Sequence, residues 1–544
     1  MGFDLTQYNR LLVWFLLCLV FTIPFFSAQN FSPATDEITH LPSGYSYWKT
    51  GQITLNPQRP PLVKLAPSFP LLFRDLNFDA NDPNLTGPTQ NEWKFGSNFL
   101  SANDIDKLLL YGRFSVMLIS VLLGFYIYKW GSELFGIKAG ILSLLLYVFM
   151  PNIIAHAQFV TTDIAVTAFS FIAFYYFWRL VKTGRKKELF LSGVFWGLAL
   201  GSKFSAVVFL PLIAVFIFVY AWYSGKNGLN FKIRNSVKLP IIIAAPVFVI
   251  LYLAYFLPTD FGFYIKGLQT IYTDWRPDYL FYLNGVFSQN GWWYYFLEAF
   301  VIKTPIPALI AFAAAILFYK KIKTDNWSRA IIFLPMIFFA IVTSVKAHDV
   351  SVRYIIPAYP FLILWAGGLV ELVQNAKIKN QNDSVKIKNL SADWRISKFY
   401  ILLFTFLTLS IWYIFGTIKI YPDYLAYFNE LVGGPKNGYK YLDDSNIEWG
   451  QDLKRLAKYQ KSNPETKIIY SWRNQDLNYF GLKNFLIADS SGWWREPKGW
   501  YAINTFLLIR MQLLSQQMND PSLNWLDLYK PVDRIGYSFF IYEF

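Results

Sequence analysis

In the stretch LLVWFLLCLVFTIPFFSAQNFSPATDEITH (residues 11–40) an apolar run long enough to cross a bilayer gives way to Asp36, Glu37 and, close behind, His40. Charged groups beside lipid are costly, so an acidic pair just beyond a span is a candidate for function and not for decoration. The rest of the chain has the composition that such a span requires. Of 544 residues, 54% are hydrophobic, 20% aromatic and only 16% charged, which is a membrane composition. The net charge of +15 sits in short connectors between apolar runs, with no basic stripe of the kind nucleic acid would need. Cys18 is the only cysteine and lies inside the first run, so neither a disulfide framework nor a zinc knuckle is available. Arg10 before that run imitates a signal peptide, but no small-residue cleavage site precedes Gln29 and many further spans follow, so the run is expected to remain as a helix.

Outward from this first span, apolar runs near 11–27, 108–128, 138–153, 163–181, 188–202, 205–223, 239–257, 304–319, 330–345, 354–373 and 399–418 predict about eleven crossings. The stretch 188–223 is too long for one helix and is divided by a tight turn around Gly201 to Lys203. Lys and Arg in short loops mark the cytoplasmic side. Lys129 and Lys138, RLVKTGRKKE (179–188), GKNGLNFKIRNSVK (225–238), KKIKTDNWSR (320–329) and KIKNQNDSVKIKNLSADWR (377–395) all fall on one side. The N-terminus is therefore expected inside. The opposite side receives a large first loop (28–107), segments near Asp163 and Gly201, residues 258–303 and 346–353, and a tail from 419 onward. The predicted fold is an α-helical polytopic membrane protein, with a transmembrane domain over 1–418 and an extracytoplasmic α/β domain over 419–544. In that tail, DDSNIEWGQDLKRLAKYQKSNPETKIIYSW predicts a polar helix and then a short strand.

The non-cytoplasmic face collects the chemistry: Asp36 and Glu37, RPPLVK (59–64), Arg113 just inside the second span, TTD ending at Asp163, Lys203, Lys303, and KAHDVSVRY (346–354) with His348 and Arg353. Carboxylates beside several cations suit a base that takes a proton from a hydroxyl and fixed positive charges that stabilise a departing phosphate. Arg presents a planar fork to phosphate, and Lys a point charge. A lipid-tailed donor would explain the spans. Plainer readings stand beside these: Asp36 and Asp163 as helix N-caps, Glu37 paired with Lys49 or Arg59, and Lys203, Lys303 and Arg353 reaching to headgroups. Asp36, Glu37 and His40 would share a helix face as a metal site requires, but no matching oxygen-ligand cluster appears. The aromatic clusters GWWYYF (291–296) and SGWWREPKGW (491–500) read as an interfacial belt and as a candidate acceptor surface.

The Asp-Glu pair, the following GYSYWKTG, a basic residue before PPL, PNIIAHAQFVTTD (151–163) and HDVSVRYIIPAYP (348–360) together resemble the GT-C class of integral membrane glycosyltransferases. The pattern is similar to the protein O-mannosyltransferases and the lipid A aminoarabinose transferase, over most of residues 1–375. The resemblance implies inverting transfer of a sugar, a hexose such as mannose, from a polyprenyl-phosphate donor to a hydroxyl of a protein, glycan or lipid at the outer face of the plasma membrane. It implies Asp36 as general base, Glu37 and Asp163 placing acceptor or donor, and Arg59 and Arg353 neutralising phosphate, with Lys64, Lys303 and His348 behind them. No cofactor is expected, a divalent metal being the alternative, and membrane lipids are partners where nucleic acid is not. Two departures stand out. Gln58 and Arg59 replace the acid and Lys that precede two prolines in the aminoarabinose transferase, and no stretch between spans is long enough for the β-trefoil of the O-mannosyltransferases. An oligosaccharide transferase using a diphosphate-linked glycan, a lipid-sugar transporter and a membrane anchor for the tail are the rival readings.

Overall fold

The computed structural model describes all residues except 1–4, 88–89, 227–237, 261, 274–278, 347, 373–390, 471–476 and 487–491. Most of the basic connectors 225–238 and 377–395 lies outside the described residues. Every expected apolar run falls on helix. Among the described residues, five helices are long and apolar enough to cross a membrane alone: Gln7–Ala28, Ile105–Phe135, Asp163–Thr183, Asn326–Val345 and Val352–Leu372. Two bent pairs raise that to seven. Ile137–Val148 meets Pro151–Ala157 at 66°, and Tyr295–Lys303 meets Ile306–Leu317 at 117°. Proline explains both breaks, since Pro151 and Pro305 have no N–H to continue the ladder. Other expected spans are shorter apolar helices, Phe204–Tyr220, Pro240–Ala254 and Phe404–Lys419, and a further one, Leu62–Phe73, lies in the first loop where none was expected.

That loop is mostly helical, with Thr35–Thr50 at its centre. Two glycines bring neighbours against this helix. A Cβ on Gly44 would stand 2.1 Å from the Lys64 carbonyl oxygen, and one on Gly96 would stand 1.9 Å from that of Ile38. Pro42, four residues on, cannot donate to the Ile38 carbonyl, so the close approach of Gly96 occurs where the helical ladder is already interrupted. The helix is buried along most of its length and thereby rigidly held.

In the tail the expected helix is shorter than the sequence implied, Leu453–Ser462, and the strand is Lys467–Ile469. A five-stranded mixed sheet runs Phe485–Leu486, Lys467–Ile469, Trp500–Asn504, Phe539–Glu543, Asp533–Ile535. Lys467 pairs with Tyr501 in parallel, and Trp500 with Glu543 antiparallel. Within SGWWREPKGW, Trp493 is 8% exposed and packs edge-to-face on Trp525 at 5.3 Å, while Arg495, Glu496 and Lys498 are exposed. In GWWYYF, Tyr295 and Phe296 are buried while Trp293 is exposed.

The tail does not hang free from the last span. Ser32 N–H donates to the Gln451 carbonyl at 2.9 Å, and Thr35 N–H to that of Trp449 at 2.8 Å. Residues 443–452, read from sequence as the start of the polar helix, are irregular and buried, with Asp443, Glu448 and Asp452 each nearly inaccessible. Buried charges must be partnered. Asp452 pairs with Arg455 at 2.7 Å, Asp443 with Arg510 at 2.6 Å, and Glu448 accepts from Gly450 N–H and Asn504 at 2.9 Å each.

Candidate functional site

The Thr35–Thr50 helix starts just after the first span, and its first turn carries both acids. Their fates diverge. Glu37 turns inward and is fully buried. Its Oε2 accepts from Ala34 N–H at 2.9 Å and from Arg113 at 2.7 Å; its Oε1 accepts from Arg113 Nε at 2.9 Å and Val160 N–H at 2.8 Å. Arg113 donates its remaining N–H groups to the carbonyls of Ala28 (2.8 Å), Phe31 (3.2 Å) and Ser32 (2.9 Å). The pair thus ties the end of the first span, the second span and the 151–163 segment to the acidic turn. The partner of Glu37 is Arg113, in place of Lys49 or Arg59, and both carboxylate oxygens are occupied.

Asp36 faces the other way and keeps a 21% exposed side chain. Arg353 donates to its Oδ2 at 2.9 Å. Burial raises the Asp36 carboxyl, but Arg353, His40 and Arg59 together outweigh burial and hold it below the ordinary carboxylate range. His40 stands on the same helix; its Nδ1 donates to the Val160 carbonyl at 2.9 Å, and burial holds the imidazole at about 4. His40 is therefore neutral near pH 7.

Asp163 starts the next span and is 1% exposed. Lys203, extended at the break after Lys186–Ser202, donates to its Oδ1 at 2.6 Å. Among the described residues its Oδ2 has no hydrogen-bond partner, nor has Arg353 Nε. Asp163 and Asp36 both lie within electrostatic reach of Arg353. The Tyr354 ring centre lies 4.7 Å from Lys203 Nζ and 5.5 Å from the Arg353 guanidinium. Two acids and two cations from four separate segments thus form one cluster with unspent donor and acceptor capacity.

Arg59 lies close enough to Asp36, His40, Lys64 and His348 to perturb all four, and its NH1 donates to the Gln58 carbonyl at 3.0 Å. Gln58 and Asn56 donate to Glu92 at 2.8 and 3.0 Å, which anchors the loop before the two prolines. His348 is half-buried, stacks on Phe281 at 6.0 Å, and is lowered by burial and by Arg59. Lys64 and Lys303 sit apart from the phosphate role expected for them. Lys64 Nζ donates to Tyr47 Oη at 2.9 Å and to the Asn56 carbonyl at 2.6 Å. Lys303 Nζ donates to the carbonyls of Leu425 at 2.8 Å and Asn446 at 2.5 Å, joining the bundle to the tail. Among the described residues no group of three His, Cys, Asp or Glu side chains is placed to hold a metal ion.

One participant was not legible in the sequence. Trp449, from the tail, lies 4.3 Å beneath the Arg353 guanidinium. The density of acids around it in DDSNIEWGQDL signals a buried polar segment once the tail is known to be folded; nothing local signals the partner.

Residues 106–253 match the sequence profile of the dolichyl-phosphate-mannose-protein mannosyltransferase family. No curated protein matches the chain. Among solved structures, the chain is similar to ArnT from Cupriavidus metallidurans bound to undecaprenyl phosphate, at 13% identity and TM-score 0.46, covering 99% of this chain and 98% of that one. It is also similar to the Archaeoglobus fulgidus oligosaccharyltransferase in its apo form, at 11% identity and TM-score 0.45, covering 76% and 57%. The Saccharomyces cerevisiae protein O-mannosyltransferase Pmt1-Pmt2 complex bound to the sugar donor is similar at 15% identity and TM-score 0.32, covering 49% and 35%. Over residues 106–253 the chain carries the pattern of the dolichyl-phosphate-mannose-protein mannosyltransferase family, in line with the resemblance to the protein O-mannosyltransferases.

Proposed function

We propose that the protein transfers a sugar, a hexose such as mannose, from a polyprenyl-phosphate donor to an acceptor hydroxyl, with inversion, at the outer face of the plasma membrane. The observation that carries this reading is the cluster in which Asp36, Arg353, Asp163 and Lys203 meet beside the ends of two spans. In the reaction the acceptor oxygen attacks the anomeric carbon, its proton passes to Asp36, and the bond from that carbon to the phosphate oxygen breaks. Polyprenyl phosphate leaves with the electron pair. Arg353 and Arg59 are the cations that stabilise its charge, and His348 lies beside Arg59 at the same rim. The positive charge in this scheme comes from the chain's own side chains, with no cofactor called upon.

The ion pair between Asp36 and Arg353 gives the scheme an order. A lipid phosphate and Asp36 compete for the same guanidinium, so arrival of the donor at Arg353 takes up its charge and frees Asp36 to act as a base. Asp163, held by Lys203, keeps its second oxygen for a sugar or acceptor hydroxyl, and Glu37 acts through position alone, orienting the turn that bears Asp36. The N-terminus is cytoplasmic in this reading, and the tail from 419 belongs to the non-cytoplasmic side as an α/β domain docked on the bundle over 1–418.

Arg353→Ala tests the phosphate assignment. Loss of one preorganised charge of this kind costs about 10²–10³-fold in rate. We expect kcat/KM for the lipid-phosphate sugar to fall by about that factor, with the purified protein still monodisperse in detergent. Because Arg353 is what holds the Asp36 carboxyl down against burial, the acid limb of the residual kcat/KM profile moves to higher pH. Unchanged donor kinetics with an unmoved acid limb would refute the assignment.

A further inference from the structure

The segment 443–452 belongs to the tail by sequence, yet it enters the site. Trp449 is 3% exposed, and its ring lies 4.3 Å from the Arg353 guanidinium. The same ring meets His156 and Phe159 edge-on at 6.0 and 6.1 Å, both from the 151–163 segment that leads to Asp163. Its carbonyl accepts from Thr35 N–H at 2.8 Å and from Thr35 Oγ1 at 3.0 Å, one residue before Asp36. Trp449 N–H in turn donates to Gln451 Oε1 at 2.6 Å, and the Gln451 carbonyl accepts from Ser32 N–H at 2.9 Å. One residue of the tail therefore touches the guanidinium and the first turn of the Asp36 helix, and packs beside the approach to Asp163.

An Arg side chain has much rotamer freedom to lose, so its fork must be held to be useful. Holding it by a hydrogen bond would consume an N–H that a phosphate needs. An aromatic ring holds the face and leaves the edge donors free. Trp449 provides such a hold, with Asp36 on one edge of the guanidinium and Nε without a partner among the described residues. We infer that Trp449 is a positioning residue of the transfer site, fixing the plane of Arg353 toward the lipid phosphate while its carbonyl anchors the turn that presents Asp36; the inference rests on the transferase reading above. The tail is then part of the active site and not an appendage to it.

The test is donor kinetics on full-length purified protein carrying Trp449→Leu, Trp449→Phe, Arg353→Ala, and each Trp449 change combined with Arg353→Ala. A desolvated cation–π contact corresponds to about thirtyfold, so Trp449→Leu is expected to lower donor kcat/KM by about thirtyfold and Trp449→Phe by about threefold. When Arg353 is already Ala, neither change should lower it further, because the two residues act as one unit. Equal losses with and without Arg353, or a Trp449→Leu enzyme within twofold of the parent, overturn the inference while the transferase reading survives. If Trp449→Leu does not fold, the Trp449→Phe comparison decides by the same criterion. A parent protein that transfers no sugar from the lipid phosphate overturns the transferase reading, and this inference with it.

Discussion

Asp36→Asn is expected to lower sugar transfer by about 10²–10⁴-fold, the usual contribution of a positioned general base, while the protein remains inserted and monodisperse. The exchange keeps size and an oxygen acceptor for Arg353 but removes the group that can take a proton. Asp36 is suited to such an exchange because, among the described residues, its carboxylate has a single side-chain hydrogen-bond partner, Arg353 at 2.9 Å, and a 21% exposed side chain. Near wild-type transfer by Asp36→Asn would exclude it as the base. Separate kcat and KM values sharpen the outcome, since loss of the base lowers kcat, whereas loss of phosphate binding at Arg353 also raises donor KM.

The second large effect concerns folding. Arg113→Met leaves the Glu37 carboxylate buried without its cation, a situation that costs about 3–5 kcal/mol for buried pairs. The variant should express poorly or unfold well below the parent in detergent. Adding Glu37→Leu removes the orphaned charge as well, and the double variant is expected to regain part of the lost thermal stability, the backbone groups of Ala28, Phe31, Ser32, Ala34 and Val160 being left without these partners. Transfer by the rescued protein is expected to stay low, because Glu37 Oε2 accepts from Ala34 N–H and Oε1 from Val160 N–H, and so sets where the Asp36 turn lies. A rescued double variant with full activity would strip Glu37 of that positioning role.

The apolar runs were legible as helices because a bilayer imposes a length and a composition that local sequence must satisfy, but of about eleven expected crossings the described residues give five helices long enough to span alone, or seven with the bent pairs. The site was legible in part for a related reason. Asp36, Asp163, Lys203 and Arg353 stand at the ends of apolar runs where a charge needs a purpose, and sidedness brought them to one face before geometry brought them together. Lys303 met the same criterion but ends between two carbonyls of the tail, and proximity to a span end does not distinguish a cation that meets a ligand from one that ties two parts of a fold. Glu37 shows the converse. Neighbouring acids in one helical turn point about 100° apart, so one can line a site while the next is buried in an ion pair. Trp449 lay beyond local reading: its hydrogen bond with Thr35 joins residues 414 positions apart, and only tertiary structure creates that contact.

The most direct measurement follows the label. Purified protein is incubated with polyprenyl-phosphate mannose labelled in the sugar, together with membranes as acceptor source, beside an Asp36→Asn control. The account predicts that label leaves the lipid for an acceptor as free polyprenyl phosphate appears in equal amount, and that the control does neither. Label that stays on the lipid with the parent protein, or that moves as fast with the Asp36→Asn protein, would contradict it.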